Sequence, residues 1–148
     1  EEIAAELEHV KPRVCILGLV DTLKYLHKGG RLSTTAALAG TVLNIKPVLS
    51  VSDGKLVVLG KARGSKQRNN YLNEMIEKMG GIDFTMPVML GYSGDDDTLL
   101  RTYIAASRSV WEHELEELPI TTVGSTIGTH TGPGVIAVAF FAKEGQNA

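Results

Sequence analysis

The sequence has one cysteine among its 148 residues, few aromatic residues and no long apolar run. A single cysteine, Cys15, excludes an internal disulfide, and its place within the apolar run Val14–Val20 predicts a buried, reduced thiol that suits a cytoplasmic protein. No apolar run approaches the roughly 20 residues that a helix needs to cross a bilayer, so we predict no integral membrane segment. We also find no secretory signal at the start of the chain, which begins at Glu1 in an expected helix and is predicted to be part of a longer protein.

Several familiar signatures of chemistry are also missing. The four histidines show no metal-ligand spacing, so we expect no zinc site. There is no phosphate-binding P-loop. The residues around Ser125 lack the second glycine of the Gly-x-Ser-x-Gly motif, which argues against a serine hydrolase.

The charged residues are unevenly distributed along the chain. Residues 11–70 contain eleven Lys or Arg and two acids, whereas residues 71–148 contain four and eleven. A nucleic-acid binder would usually interleave aromatic residues in such a basic block, and only Tyr25 lies there, so we expect no nucleic-acid partner. A small anionic ligand or an acidic partner surface would fit the pattern. Alternatively, the segregation disappears once the chain folds.

Hydrophobic periodicity and turn signals predict one α/β domain of the α+β kind, with a mixed, largely antiparallel sheet flanked by helices. Asp53-Gly54 predicts a type I′ turn between two strands. Asp21 is expected to cap a short helix that Gly29 and Gly30 terminate. Other helices are expected over residues 2–10, 34–43, after Ser65 and after Asp97, and strands over 14–20, 84–92, 119–123 and 134–141.

The segment 124–134 is rich in glycine and threonine and contains His130. Glycines such as Gly128 let the backbone approach a ligand, and the hydroxyls of Thr129 and Thr131 can donate to it. His130 adds a donor that can become cationic near neutral pH. These residues predict a site for a carboxylate or a phosphate. An ordinary glycine-rich turn, with its histidine bonded to the backbone, is the alternative.

Two arginines are further candidate anion ligands. Arg31 follows the double glycine, and the end of a helix explains the glycines but not the arginine. Arg63 follows the predicted hairpin, and its guanidinium can present a planar fork to an oxyanion. For Arg63 the alternative is a solvated surface side chain.

Three segments occur in this order and at about this spacing in the DegV family. They read Leu-Lys-Tyr-Leu-His-Lys-Gly-Gly-Arg-Leu from Leu23, Leu-Asn-Ile-Lys-Pro-Val-Leu-Ser-Val-Ser-Asp-Gly-Lys from Leu43, and Gly-Thr-His-Thr-Gly-Pro-Gly from Gly128. The chain resembles the carboxyl-terminal domain of that family over essentially residues 1–148, and the resemblance implies that the family's amino-terminal domain is absent from them.

The resemblance implies a bacterial two-domain protein that encloses one long-chain fatty acid of about sixteen to eighteen carbons. Such a protein presents the fatty-acid carboxylate to the ATP-binding subunit of fatty acid kinase, which forms an acyl phosphate. The family pattern implies that His130 contacts the carboxylate and that Arg31 and Arg63 lie near the head group and the kinase docking surface. This reading implies a lipid-binding substrate carrier that is not an enzyme by itself and needs no cofactor or metal. Two alternatives remain: an α/β module that binds a protein without lipid, and a small enzyme that binds a phosphate ligand at the glycine-rich segment.

Overall fold

The computed structural model describes residues 1–32, 45–111 and 117–145. In these ranges the strands form one six-stranded sheet in the order β3-β2-β1-β6-β4-β5. The strands are β1 (Val14–Leu19), β2 (Ile45–Ser52), β3 (Lys55–Arg63), β4 (Met89–Tyr92), β5 (Ile120–Thr122) and β6 (Ile136–Phe141). Neighbouring strands pair antiparallel, except that β4 and β5 are parallel. The expected mixed, largely antiparallel sheet is therefore confirmed.

Helices connect and cover the strands. They are α1 (Glu2–Val10), α2 (Lys24–Lys28), α3 (Gly64–Lys78), α4 (Thr98–Ala106), α5 (Arg108–Trp111) and α6 (Ser125–Thr131), with a 3-10 turn at Lys11–Arg13. The helix expected over 34–43 lies outside the described residues. Within the described ranges, no helix combines the length and the apolar composition needed to cross a membrane.

The hairpin between β2 and β3 has the turn that its sequence predicts. Asp53 and Gly54 have φ angles of 50° and 71°, and Ser52 pairs with Lys55 across the turn. Asparagine, aspartate and glycine adopt positive φ most readily, so the local sequence is sufficient to form this turn.

The main core lies between one face of the sheet and helices α3 and α4. Leu17 and Leu90 from the sheet, Leu72 from α3 and Leu100 from α4 are fully buried there. Full burial of an aliphatic side chain of this size contributes about 1.5–3 kcal/mol. Cys15 belongs to the same cluster and burial raises the pKa of its thiol, so the predicted buried cysteine is confirmed.

The opposite face of the sheet is also apolar but is only partly covered. A second cluster under α2 covers one end of it, and its buried members are Val20, Leu23, Leu26, Leu49 and Val135. Beyond this cluster, Ile16 and Met89 remain 45% and 44% exposed. Both pair with Ala139 of β6, so they lie on one surface of the sheet.

The predicted cap of α2 is wrong. The Asp21 carboxylate accepts a hydrogen bond from Lys46 instead, and the helix begins after Leu23. The Lys24 N–H donates to Thr22 Oγ1 at 3.2 Å. The Asp21 carboxylate therefore binds Lys46 of β2 and does not cap α2.

The strand predicted over 84–92 is too long, because β4 covers only Met89–Tyr92. Asp83 causes the difference: its Oδ1 accepts hydrogen bonds from the Thr85 hydroxyl at 2.6 Å and the Thr85 N–H at 3.0 Å. These bonds close a turn that competes with strand pairing. Together with the Arg13 guanidinium, which also donates to Asp83, they lower the pKa of that carboxyl.

Candidate functional site

The glycine- and threonine-rich segment is helical rather than an open turn. Helix α6 begins after Gly124, which has extended backbone angles of −61° and 155°, and runs over Ser125–Thr131. The Thr129 hydroxyl donates to the Ser125 carbonyl at 2.8 Å, and the Thr131 hydroxyl donates to the Ile127 carbonyl at 3.0 Å. The alternative interpretation, an ordinary glycine-rich turn, is therefore wrong, and both hydroxyl hydrogens are used within the helix.

A buried serine holds the turn that links α6 to β6. Ser93 Oγ donates to the Gly132 carbonyl at 2.6 Å and accepts from the Val135 N–H at 3.1 Å. Its backbone also pairs with the turn, since the Gly134 N–H donates to the Ser93 carbonyl at 2.8 Å. The only sequence signal for this role is that a serine directly follows the apolar end of β4, and sequence reasoning missed it.

Helices α2 and α6 pack closely because glycines lie at their contact points. A Cβ built on Gly29 would lie 2.2 Å from His130 Nδ1, and one built on Gly132 would lie 2.3 Å from Tyr25 Cδ2. Both distances are far below normal van der Waals contact. Each helix therefore places an aromatic ring against a glycine of the other segment.

The His130 ring is half-buried in this contact. Its Nδ1 is inaccessible to solvent and has no hydrogen-bond partner among the described residues. A buried polar atom without a partner is uncommon in folded proteins, so this one needs a physical explanation. Since Nδ1 is sealed off, Nε2 is the ring nitrogen that can meet a ligand.

The second feature of the site is an apolar cavity of about 380 Å³ between α6 and the partly covered sheet face. Three predicted site residues line it: Arg31, His130 and Thr131. Most of the remaining lining is aliphatic; it comprises Ile16, Leu17, Gly18, Val20, Leu26, Leu49, Ser50, Val51, Leu56, Val123, Ile127, Val135 and Ala137. The cavity opens to the surface, because Ile16 and Ile127 in its wall are 45% and 61% exposed.

Other predicted site residues do not line this cavity. Gly128 and Thr129 belong to α6 but are absent from the lining. Arg63 ends β3, where its backbone pairs with Ile45, and its side chain lies outside the described residues. Among the described residues no group of histidine, cysteine or carboxylate side chains could hold a metal ion.

Comparison with known proteins decides the family. The DegV family model matches residues 1–143. The chain belongs to the DegV family. A DegV domain-containing protein of Caldanaerobacter subterraneus is 36% identical over 143 residues, which are 97% of this chain and 50% of that protein. The resemblance found in the sequence is thus confirmed, and this DegV chain spans about half the length of the relatives that it matches.

Solved structures of DegV proteins have the same fold. A fatty-acid-binding DegV family protein of Streptococcus agalactiae is 29% identical, with a TM-score of 0.73 over 97% of this chain and 50% of that one. The Streptococcus pneumoniae fatty acid kinase B3 protein, loaded with linoleic acid, is 19% identical, with a TM-score of 0.81 over 96% of this chain and 49% of that one. At 19% identity the second likeness concerns the fold alone.

Within this DegV chain, Arg31 lies at the same helix end as Gly29. Its Nη1 donates to the Gly29 carbonyl at 2.7 Å, and its backbone N–H donates to the Leu26 carbonyl at 2.8 Å. These two bonds hold Arg31 at this end of α2, where it lines the same cavity as His130. A cation and an imidazole at the edge of an apolar cavity can together bind a ligand that is apolar along its length and anionic at one end.

Proposed function

We propose that this DegV chain takes part in binding a long-chain fatty acid, with His130 as a ligand of its carboxylate. The observation that carries the proposal is the composition of the cavity, which is aliphatic except for a few polar groups that include His130 and Arg31. The Streptococcus agalactiae relative is named as a fatty-acid-binding protein, which supports the same ligand class.

The aliphatic walls suit the acyl chain. Each buried methylene contributes about 0.8 kcal/mol, so even part of a sixteen-carbon tail supplies several kcal/mol before the costs of ordering it. Because the wall at Ile16 and Ile127 is open, we propose that the tail extends beyond this cavity along the apolar sheet surface.

The polar groups suit the carboxylate. A carboxylate cannot leave water without hydrogen bonds or an opposite charge. We propose that His130 Nε2 and the Arg31 guanidinium supply them, with the α6 residues Gly128, Thr129 and Thr131 close to the head group. Thr129 and Thr131 would first have to turn their hydroxyls away from the helix carbonyls.

We further propose that the bound acid is presented to a separate, cytoplasmic ATP-binding kinase subunit that forms the acyl phosphate. The name of the Streptococcus pneumoniae protein suggests this partner, although its likeness to this chain supports only the fold. The sequence has no nucleotide-binding P-loop of its own, so we assign it the role of a substrate carrier rather than an enzyme. Arg63, at the end of β3, is the proposed docking residue.

Lipid extraction and native mass spectrometry of the purified intact protein test the proposal. We expect a co-purified long-chain acid in the wild type, a large loss of occupancy in His130→Ala and no loss in the control His9→Ala, which removes an exposed histidine from α1. Unchanged occupancy in His130→Ala would refute the role of His130. Absence of any lipid in the wild type, even after incubation with palmitate, would refute the ligand class.

The proposed partner needs a separate test. With a fatty acid kinase ATP-binding subunit added, Arg63→Ala should reduce acyl-phosphate formation while palmitate occupancy stays unchanged. The control Lys55→Ala removes a cation from the opposite end of the same strand. An equal loss of occupancy and turnover in Arg63→Ala would count against a docking role.

A further inference from the structure

We propose that Gly29 is a positioning residue for the head-group site, because it fixes the position of the His130 imidazole relative to the Arg31 guanidinium. This inference rests on the proposed function and adds a residue that contacts no part of the ligand itself. Gly29 acts on its two neighbours through different atoms: its missing side chain makes room for one, and its carbonyl binds the other.

The contact with His130 explains why position 29 is glycine. A Cβ there would lie 2.2 Å from Nδ1 and 3.0 Å from Cε1 of the ring. The backbone does not require glycine, since φ and ψ are −78° and 0°, which any residue can adopt. An added methyl group must therefore move the ring by roughly 1 Å to restore normal contact.

The neighbouring glycine provides the contrast. Gly30 has a φ of 71°, and a Cβ at this position would meet nothing within 4 Å. Gly30 thus ends helix α2 through its backbone conformation, whereas Gly29 serves a contact. Positions 29 and 30 are therefore glycine for different physical reasons.

The second contact concerns Arg31. The Gly29 carbonyl accepts a hydrogen bond from Arg31 Nη1 at 2.7 Å. The residue that bounds the imidazole on one side thereby also fixes one end of the guanidinium. A shift at position 29 would change the spacing of the two groups proposed to share the carboxylate.

The contact also fixes which nitrogen the imidazole presents. Nδ1 is buried against Gly29 and has no partner among the described residues, so a hydrogen on it would be a buried donor without an acceptor. In the neutral ring, the tautomer with its hydrogen on Nε2 leaves Nδ1 as a buried acceptor, needs no room for a hydrogen between Nδ1 and Gly29, and aims a donor at the ligand. Gly29 therefore selects the tautomer as well as the position.

The first experiment measures palmitate affinity in the delipidated intact protein. We expect Gly29→Ala to weaken binding on the order of tenfold or more, the effect of losing a hydrogen bond to a charged group. The matched control is Gly124→Ala, because a Cβ there meets nothing within 4 Å and the backbone is extended at φ −61°. Wild-type affinity in Gly29→Ala would overturn the proposal.

A double-mutant cycle separates positioning from general damage to the fold. In a His130→Ala background the ring is gone, so Gly29→Ala should have much less further effect on affinity than it has in the wild type. An equal effect in both backgrounds would overturn the proposal. If Gly29→Ala alone does not fold, Gly29→Ala combined with His130→Ala should fold again, and failure of both variants would also overturn it.

The ring nitrogens give a readout that does not depend on lipid. Two-dimensional ¹H–¹⁵N spectra at about pH 8 should assign the hydrogen of His130 to Nε2 in the wild type, and Gly29→Ala should shift these resonances while Gly124→Ala leaves them in place. Unmoved resonances in Gly29→Ala would overturn the proposal. If the resonances move but His130→Ala still binds palmitate like the wild type, the contact stands and the proposed function fails.

Discussion

Ser93→Ala is the most direct test of how the site is anchored to the sheet. Ser93 joins the end of β4 to the turn between α6 and β6 through its side chain and its backbone. The substitution removes only the hydroxyl. It leaves the Gly132 carbonyl without the donor at 2.6 Å and the Val135 N–H without the acceptor at 3.1 Å.

The expected cost follows from these two bonds. Ser93 and Val135 are 7% and 4% exposed, so water cannot readily replace the lost partner. A buried polar group left without a partner costs about 1–3 kcal/mol. We expect a loss of about 2–4 kcal/mol in the free energy of unfolding, which corresponds to a fall in Tm of about 5–15 °C for a chain of this length.

Urea denaturation followed by circular dichroism measures this loss. The control is Ser109→Ala, which removes a hydroxyl from the exposed surface of α5 and should change stability by less than about 0.5 kcal/mol. A loss in Ser93→Ala as small as in the control would show that the hydroxyl does not anchor the turn. A change in the m-value would show instead that the denatured state was affected.

Three further predictions concern stability. Gly132→Ala should destabilise the chain by at least about 1–3 kcal/mol in urea denaturation, since the backbone there has a φ of 79° and a ψ of 179°, a region nearly confined to glycine. Adding Tyr25→Ala to this variant should restore only the part of the lost stability that is due to the clash with the Tyr25 ring. Hydrogen bonds from Thr85 lower the pKa of Asp83, so its contribution to stability is complete above the unfolded-state pKa of about 3.9 and is lost as the pH falls through the lower folded-state value. Asp83→Asn should therefore be less stable than the wild type at pH 7, and this difference should shrink in denaturation curves below about pH 4; a constant difference would contradict the assignment. Leu72→Ala should cost about 2–5 kcal/mol because the side chain is fully buried in the main core, and a loss below 1 kcal/mol would show that the core can collapse around it.

Elements with strong local signals could be predicted from the sequence. The Asp53-Gly54 hairpin follows from two residues that adopt positive φ at low cost, and α1 follows from apolar residues at helical spacing. The predicted strands appear in the expected order over the described residues, but α5 and α6 were not predicted. One error arose where a side chain bonds to another element, as Asp21 does with Lys46, and another arose where Asp83 and Thr85 close a local turn.

Helix α6 shows why the site was harder to predict than the fold. Glycine and threonine are poor helix formers, so composition alone favoured an open turn. The helix is stabilised instead by its contact with α2, in which Tyr25 lies against Gly132, more than 100 residues further along the chain. His130 could be singled out from its residue type, but its burial against Gly29 depends on that distant contact, which no local pattern reports.

The pairing of β1 with β6 has a consequence for how this chain reaches its native state. These strands occupy the middle of the sheet, yet Val14 pairs with Phe141 and Leu19 with Ile136, so the central ladder joins the early and late parts of the chain. During synthesis β1 must wait for β6 to leave the ribosome, with its apolar surface exposed meanwhile. Long-range pairing of this kind slows folding and favours aggregation of incomplete chains, so premature termination before residue 136 should yield material that depends on chaperones rather than a smaller stable domain.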